Sequence, residues 1–218
     1  MKFFWYLFSL SANDKGVPFF GAPISFICKI HFIPKEGFLL VPICFIGKSP
    51  YSLLAELMGE FFCGLGETVP LFFSHEGPLP QQMGDSLVLL FQDSFGAPCG
   101  FPILTPPENT VAVANAQNVE VLQGLEGTSI RTITCGLSTC DTFTLASSTE
   151  DSVVAALQRS IVSFRGEIVE PMEFPVYNRR LLGLSRYALM AFCAVGCLEG
   201  QYKGLLPFLA GRAIHDGY

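Results

Sequence analysis

The chain has 218 residues and a formal net charge of −6; half of its residues are hydrophobic and only 15% are charged. The length admits one domain, or one domain with an extension. The acidic balance argues against a general nucleic-acid binder, which would carry a basic face, and a charged content well below the roughly 25% of ordinary soluble domains leaves ample apolar material for a core.

Met1-Lys2, the run Phe3 to Leu10 and then Ser11-Ala12 have the order of a short signal peptide. The apolar run is short for that role. The expectation is therefore a cytoplasmic protein, with a secreted or membrane-associated one as the alternative. No stretch reaches the roughly 20 apolar residues of a membrane span, and the nearest, Tyr187 to Leu198, is too short.

Residues 1–82 hold 13 of the 21 phenylalanines and the single tryptophan. Pro34, Pro42 and Pro50 interrupt their apolar runs, and proline inside a run stops a helix and demotes a central strand. This part reads as a Phe- and Pro-rich N-terminal extension, a candidate surface for protein or membrane contact. One helix is expected in it, over Ser52 to Phe62, where Leu53, Leu54, Leu57, Met58 and Phe61 recur at helical spacing. A compact unit is expected over residues 83–218, with Met83 an alternative start to Met1.

Beyond Met83 the pattern is more regular. Ser86 to Phe91 reads as a buried strand, followed by a loop rich in Gly and Pro from Asp93 to Pro107. Thr110 to Ala114 is a second strand. Asn115 to Gln117 opens a short helix, Val119 to Leu125, closed near Gly127. Ile130 to Thr134, Thr142 to Ser147 and Val153 to Arg159 follow as strands. A hairpin is expected from Ser160 to Val176, turning at Arg165-Gly166, with Pro171 at a bulge or edge. Arg186 to Leu198, apolar on nearly every face and stopped by Gly200, reads as a buried helix. The expected fold class is α/β: a small sheet with short helices, a β-hairpin appendage and a buried C-terminal helix.

The eight cysteines (28, 44, 63, 99, 135, 140, 193 and 197) form no Cys-x-x-Cys pair, and His31, His75 and His215 do not complete a zinc spacing. No metal site is expected, and the thiols read as reduced core residues, including Cys193 and Cys197 on one helical face. Cys99, in a loop of glycines and prolines, is the candidate nucleophile should the protein be an enzyme; no histidine near it in sequence would lower its pKa. Ser74-His75-Glu76 reads as a turn, since adjacent residues cannot form a triad among themselves. Glu150-Asp151 suits an element start, Glu167, Glu170 and Glu173 the wet edge of the hairpin, and Arg179-Arg180 a solvated pair or an anion contact. No catalytic residue is assigned.

Thr110-Val-Ala-Val-Ala-Asn115-Ala116-Gln117-Asn118, a short helix, and then Ile130-Arg-Thr-Ile-Thr-Cys-Gly136-Leu137-Ser138 resemble the latter part of the Mur ligase central domain. Gly183 to Gly200 resembles the segment that follows there, a Gly-x-His-Asn turn leading into an Ala-rich helix. The resemblance covers residues 108–200. It makes residues 83–218 a Mur-ligase-like α/β domain, makes Asn115 and Asn118 the candidate cofactor-binding residues, and implies a nucleotide or UDP-sugar type of ligand. The family's acidic pair is replaced by Gln117-Asn118, and Leu184-Ser185 stands in place of His-Asn. No Gly-Thr-x-Gly-Lys-Thr loop is present, and the nearest string, Gly47-Lys48-Ser49-Pro50, lacks the upstream glycine that shapes an anion nest. Phosphoryl transfer needs backbone amides, a lysine and a metal around the phosphates, so ATP and Mg²⁺ are not supported as cofactors. The expectation is a non-catalytic binding or regulatory relative.

Overall fold

A computed structural model describes residues 40–47, 53–74, 85–93, 95–96 and 106–212. Ten strands and five helices are assigned among them, eight of the strands in one sheet. In chain order, β1 (Ile43–Ile46), α1 (Leu53–Gly64), β2 (Leu71–Ser74), β3 (Ser86–Phe91) and β4 (Asn109–Asn115) come first. They are followed by α2 (Val119–Leu125), β5 (Arg131–Cys135), β6 (Phe143–Ser148) and β7 (Val153–Leu157). The small hairpin β8 (Ile161–Val162) and β9 (Ile168–Val169) comes next, then β10 (Met172–Val176). Three helices close the described part: α3 (Arg179–Leu182), α4 (Arg186–Leu198) and α5 (Tyr202–Leu209).

The sheet runs β10-β7-β6-β5-β4-β3-β1-β2. From β2 to β6 all neighbours are parallel, whereas β6–β7 and β7–β10 are antiparallel. The protein is therefore mixed α/β with a mostly parallel sheet, as expected in class but larger than the small sheet expected. Interior parallel strands are buried on both faces and read as continuous apolar runs. Leu87 to Phe91 and Val111 to Ala114 show this, every residue being buried.

Ile43, Cys44, Phe45 and Ile46 are equally buried, and β1 lies between β2 and β3. Pro42, which reads in the sequence as an interruption, stands just before this strand, where no ladder donor is needed. Its carbonyl accepts the Val88 amide at 2.9 Å. Strands and a helix from before Met83 thus share one sheet and one core with everything after it, and the expected division at residue 83 falls inside a continuous structure.

The expected helix over Ser52 to Phe62 is α1, and the buried helix over Arg186 to Leu198 is α4. With α5 they cover one face of the sheet. Phe61 of α1 meets Phe192 of α4 at 5.6 Å between ring centroids and Phe208 of α5 at 5.3 Å. Such tilted pairs add to the burial of large apolar area. Gly196 lets α5 approach α4, for a Cβ there would collide with the buried Leu205 side chain. On the other face α2 packs Val121 and Leu125 over Leu87, Leu89, Ala112 and Ala114.

The expected long hairpin divides in two. β8 and β9 pair with each other, whereas β10, after Pro171, pairs with β7 at the sheet edge. Pro175 sits in β10, where an edge strand tolerates a missing donor. Glu150 and Asp151 lie at the tip of the β6–β7 turn, just before the start of β7, in a turn closed by Thr149 and Ser152. Glu167, Glu170 and Glu173 are exposed, as expected of a wet edge. Arg179 and Arg180 are exposed between the hairpin and α4, as expected of a solvated pair, and Arg180 also bridges α3 to Glu56 and Glu60 of α1 at 2.7 and 2.6 Å.

Candidate functional site

β1 leads through α1 to β2 on one side, whereas β3, on its other side, leads away to β4. The direction of winding reverses between β1 and β3. In open α/β sheets, ligands bind beyond the carboxyl ends of the strands at such a reversal. The ends meeting there are Ile46-Gly47, Phe91-Gln92-Asp93 and Asn115, with Cys135-Gly136 alongside β4.

Gly47 is held by its amide on the Ser74 carbonyl at 3.1 Å, and the Gln92 amide donates to Ile46 at 2.8 Å. The Gln92 side chain lies so close over Gly47 that a Cβ there would stand 2.6 Å from Oε1. The backbone of the two central strands therefore ends in a tight, glycine-dependent junction.

Asp93 is the hub of this edge. Its Oδ1 accepts from Asn115 Nδ2 at 2.9 Å and its Oδ2 from Ser185 Oγ at 2.7 Å. One carboxylate thus joins the ends of β3 and β4 to the start of α4. Ser185 is also the N-cap of α4, accepting the Ala188 amide at 3.1 Å. A negative group at a helix N-terminus is in a favourable field. Behind it, the Tyr187 hydroxyl donates to the Phe91 carbonyl, with the Val113 carbonyl 3.0 Å away. Burial first, then the Cys135 and Asp93 charges, push the Tyr187 pKa well up, so the phenol acts as a neutral donor.

Asn115 and Asn118, the sequence candidates, both come to this edge. Asn115 ends β4, and its Oδ1 accepts the Gln117 amide at 2.9 Å. Asn118 caps α2 through the Val121 amide at 3.1 Å and donates to the Phe95 carbonyl at 2.9 Å. Each therefore shapes the loop it stands in, spending one side-chain hydrogen on a described partner. Beside them Gly136 admits no side chain, because a Cβ would meet Asp141 and Ala116. Asp141 Oδ2 accepts the Ser138 amide at 3.0 Å.

Among the described cysteines all are free, and Cys44, Cys135, Cys193 and Cys197 are buried. Burial raises the thiol pKa of Cys44 and Cys193 to about 12. It raises those of Cys135 and Cys197 well above the usual value, so these thiols are core residues and not nucleophiles. Cys99, Lys48, Ser49, Pro50, His75, Glu76 and Met83 lie outside the described residues. Tyr187 and the role of Asp93 are what sequence reasoning missed at this edge; the one signal was an acidic residue two positions beyond a buried strand. No described helix is long and apolar enough to cross a membrane.

Fold and edge together define an α/β protein with a mostly parallel sheet and a polar carboxyl edge at its switch point. No family model matches the chain, and no curated protein matches it. Among solved structures the chain is similar to a UDP-N-acetylmuramoyl-L-alanyl-D-glutamate–2,6-diaminopimelate ligase, with a TM-score of 0.48 and 11% identity. That protein is a Mur ligase, the family whose motifs residues 108–200 resemble. The likeness covers 84% of this chain and 48% of that one, so the chain spans about half the length of the ligase.

Proposed function

We propose that the protein is a non-catalytic, Mur-ligase-like binding or regulatory protein that takes a nucleotide or UDP-sugar at the carboxyl edge of its sheet, over β1, β3 and β4. The observation that supports this most is the Asp93 bridge. At the switch point, where a phosphoryl-transfer enzyme would present a carboxylate to a metal, both Asp93 oxygens are engaged by neutral donors, Asn115 and Ser185. The carboxylate joins the ends of β3 and β4 to the start of α4. Asn115 and Asn118 are the proposed ligand contacts. The sequence Gly47-Lys48-Ser49-Pro50 lacks the glycine spacing of a phosphate loop. Cytoplasmic residence is part of the proposal and is supported by four buried, protonated thiols.

Calorimetric titration with ATP-Mg²⁺ and with UDP-N-acetylglucosamine, followed by an assay for phosphate release, tests the reading. Saturable binding of at least one of them, with no phosphate released, is expected. No heat from either at millimolar ligand would discard the binding site. Steady phosphate release would replace the reading with an ATP-hydrolysing or ligating enzyme.

A further inference from the structure

At their carboxyl ends β3 and β4, the strands that carry Asp93 and Asn115, part company. The β3–β4 ladder ends at the step Leu90–Val113. Beyond it Phe91 is still paired with Ile46 of β1, and Ala114 and Asn115 are still paired with Thr134 and Cys135 of β5. Backbone pairing therefore holds β3 to one neighbour and β4 to the other, and at this level side chains join β3 to β4.

Two described side-chain bridges make that join, and both lead to the first turn of α4. The outer one is the Asp93–Asn115 bond at 2.9 Å, which Ser185, the N-cap of α4, ties to the helix at 2.7 Å from Asp93. The inner one is Tyr187, two residues past Ser185 and only 5% exposed. Its hydroxyl reaches the carbonyl of Phe91 on β3 and that of Val113 on β4. A hydroxyl has one proton and rotates to suit its acceptors, so one phenol serves both strands. Burial keeps that phenol neutral, and a neutral phenol remains a donor.

We propose that Tyr187 is a positioning residue for the carboxyl edge: its hydroxyl fixes the gap between the ends of β3 and β4 and so holds Asn115 and Asp93 in place for the ligand. The ligand part rests on the reading of this edge as the binding site. Asp93 lies two residues beyond Phe91, and Asn115 two beyond Val113. A displacement of either strand end at the phenol is therefore carried straight to the bond between them. Tyr187→Phe keeps the buried ring and takes a donor from two buried carbonyls, whose recovery of a partner moves the strand ends.

The test compares wild type, Tyr187→Phe and Phe174→Leu in the full chain. Phe174 is buried in β10 at the far edge of the sheet, so its variant loosens the core away from the first turn of α4. In ligand-free NMR spectra the side-chain amide of Asn115 should move towards the position of a solvated amide in Tyr187→Phe and stay in place in Phe174→Leu. Calorimetry with whichever of ATP-Mg²⁺ and UDP-N-acetylglucosamine the wild type binds should show about tenfold weaker binding in Tyr187→Phe, the worth of one hydrogen bond, and no change in Phe174→Leu. An Asn115 amide unmoved in Tyr187→Phe would overturn the proposal, as would an affinity kept within about twofold. If the wild type binds neither compound, the ligand reading falls and the Asn115 amide alone decides the role of Tyr187. Should Tyr187→Phe not fold, the hydroxyl proton of the wild type decides instead. Slow exchange with water and nuclear Overhauser contacts to the backbone of both strands are expected, and rapid exchange overturns the bridge.

Discussion

The two ends of the sheet handle carboxylates in opposite ways. At the carboxyl end Asp93 is exposed, and each of its oxygens meets a neutral donor from a different element. At the amino end Glu199 is withdrawn from water and Glu67 is half-buried, and each leaves a buried oxygen unmatched. The first arrangement joins the ends of β3 and β4 to α4 at the solvent-facing edge. The second joins the lead-in to β1, through the Val41 amide, to the C-cap of α4. A carboxylate that joins several elements is satisfied by donors on both oxygens, whereas a buried one with an orphan oxygen is costly to ionise.

The sharpest way to break this contrast is to remove the elements that both ends share. A chain starting at Met83 would lack β1, α1 and β2, exposing β3 as a new apolar edge and stripping Phe61 and the Val41 tie from the core. Unpaired hydrophobic edges aggregate. Such a chain is expected to show no cooperative thermal transition in circular dichroism; a normal transition would mean that residues 83–218 form a unit by themselves.

The next largest effect lies at the amino end. A rise in the Glu199 pKa from 4.5 to about 8 corresponds to at most about 5 kcal/mol of stability lost between those pH values, at 1.4 kcal/mol per unit. Denaturant titrations at pH 5 and pH 8 should differ by several kcal/mol in wild type and by far less in Glu199→Gln.

Effects at the carboxyl end should be smaller. Ser185→Ala removes the α4 cap and one Asp93 partner together, for an expected loss of about 1–2 kcal/mol. It should also weaken binding of the proposed ligand, because α4 is no longer tied to the ends of β3 and β4; calorimetry on the same variant reads both. Smallest of all is Arg180→Ala. Its pairs with Glu56 and Glu60 are exposed, and a change below about 1 kcal/mol is expected by urea unfolding.

What the sequence made legible follows from how local each signal is. β3, β4, α2 and β5 stand out because uninterrupted apolar runs, an Asn cap and closing glycines lie within a few residues of one another. β1 and β2 are only four residues long and are bordered by Pro42 and Pro70, so the burial of β1 on both faces and the place of β2 at the sheet edge are invisible without their neighbours. α5 contains Gly204 and Pro207, both poor helix residues, and is held by packing against α4 and β10. The candidate edge was legible at Asn115 and Asn118, which sit beside the helix they open. The role of Asp93 was not, since its partners are 22 and 92 positions away. Glu199 and Val41 are separated by 158 positions, and nothing in either neighbourhood announces the pair.

The most direct test of the central claim is amide hydrogen exchange with and without saturating ATP-Mg²⁺ or UDP-N-acetylglucosamine. The account predicts slower exchange at residues 91–93, 115–118 and 185–188, with the amino end around residues 40–41 and 199–201 unchanged. Protection confined to the amino end, or none at all with ligand bound, would contradict a binding site at the switch point of the sheet.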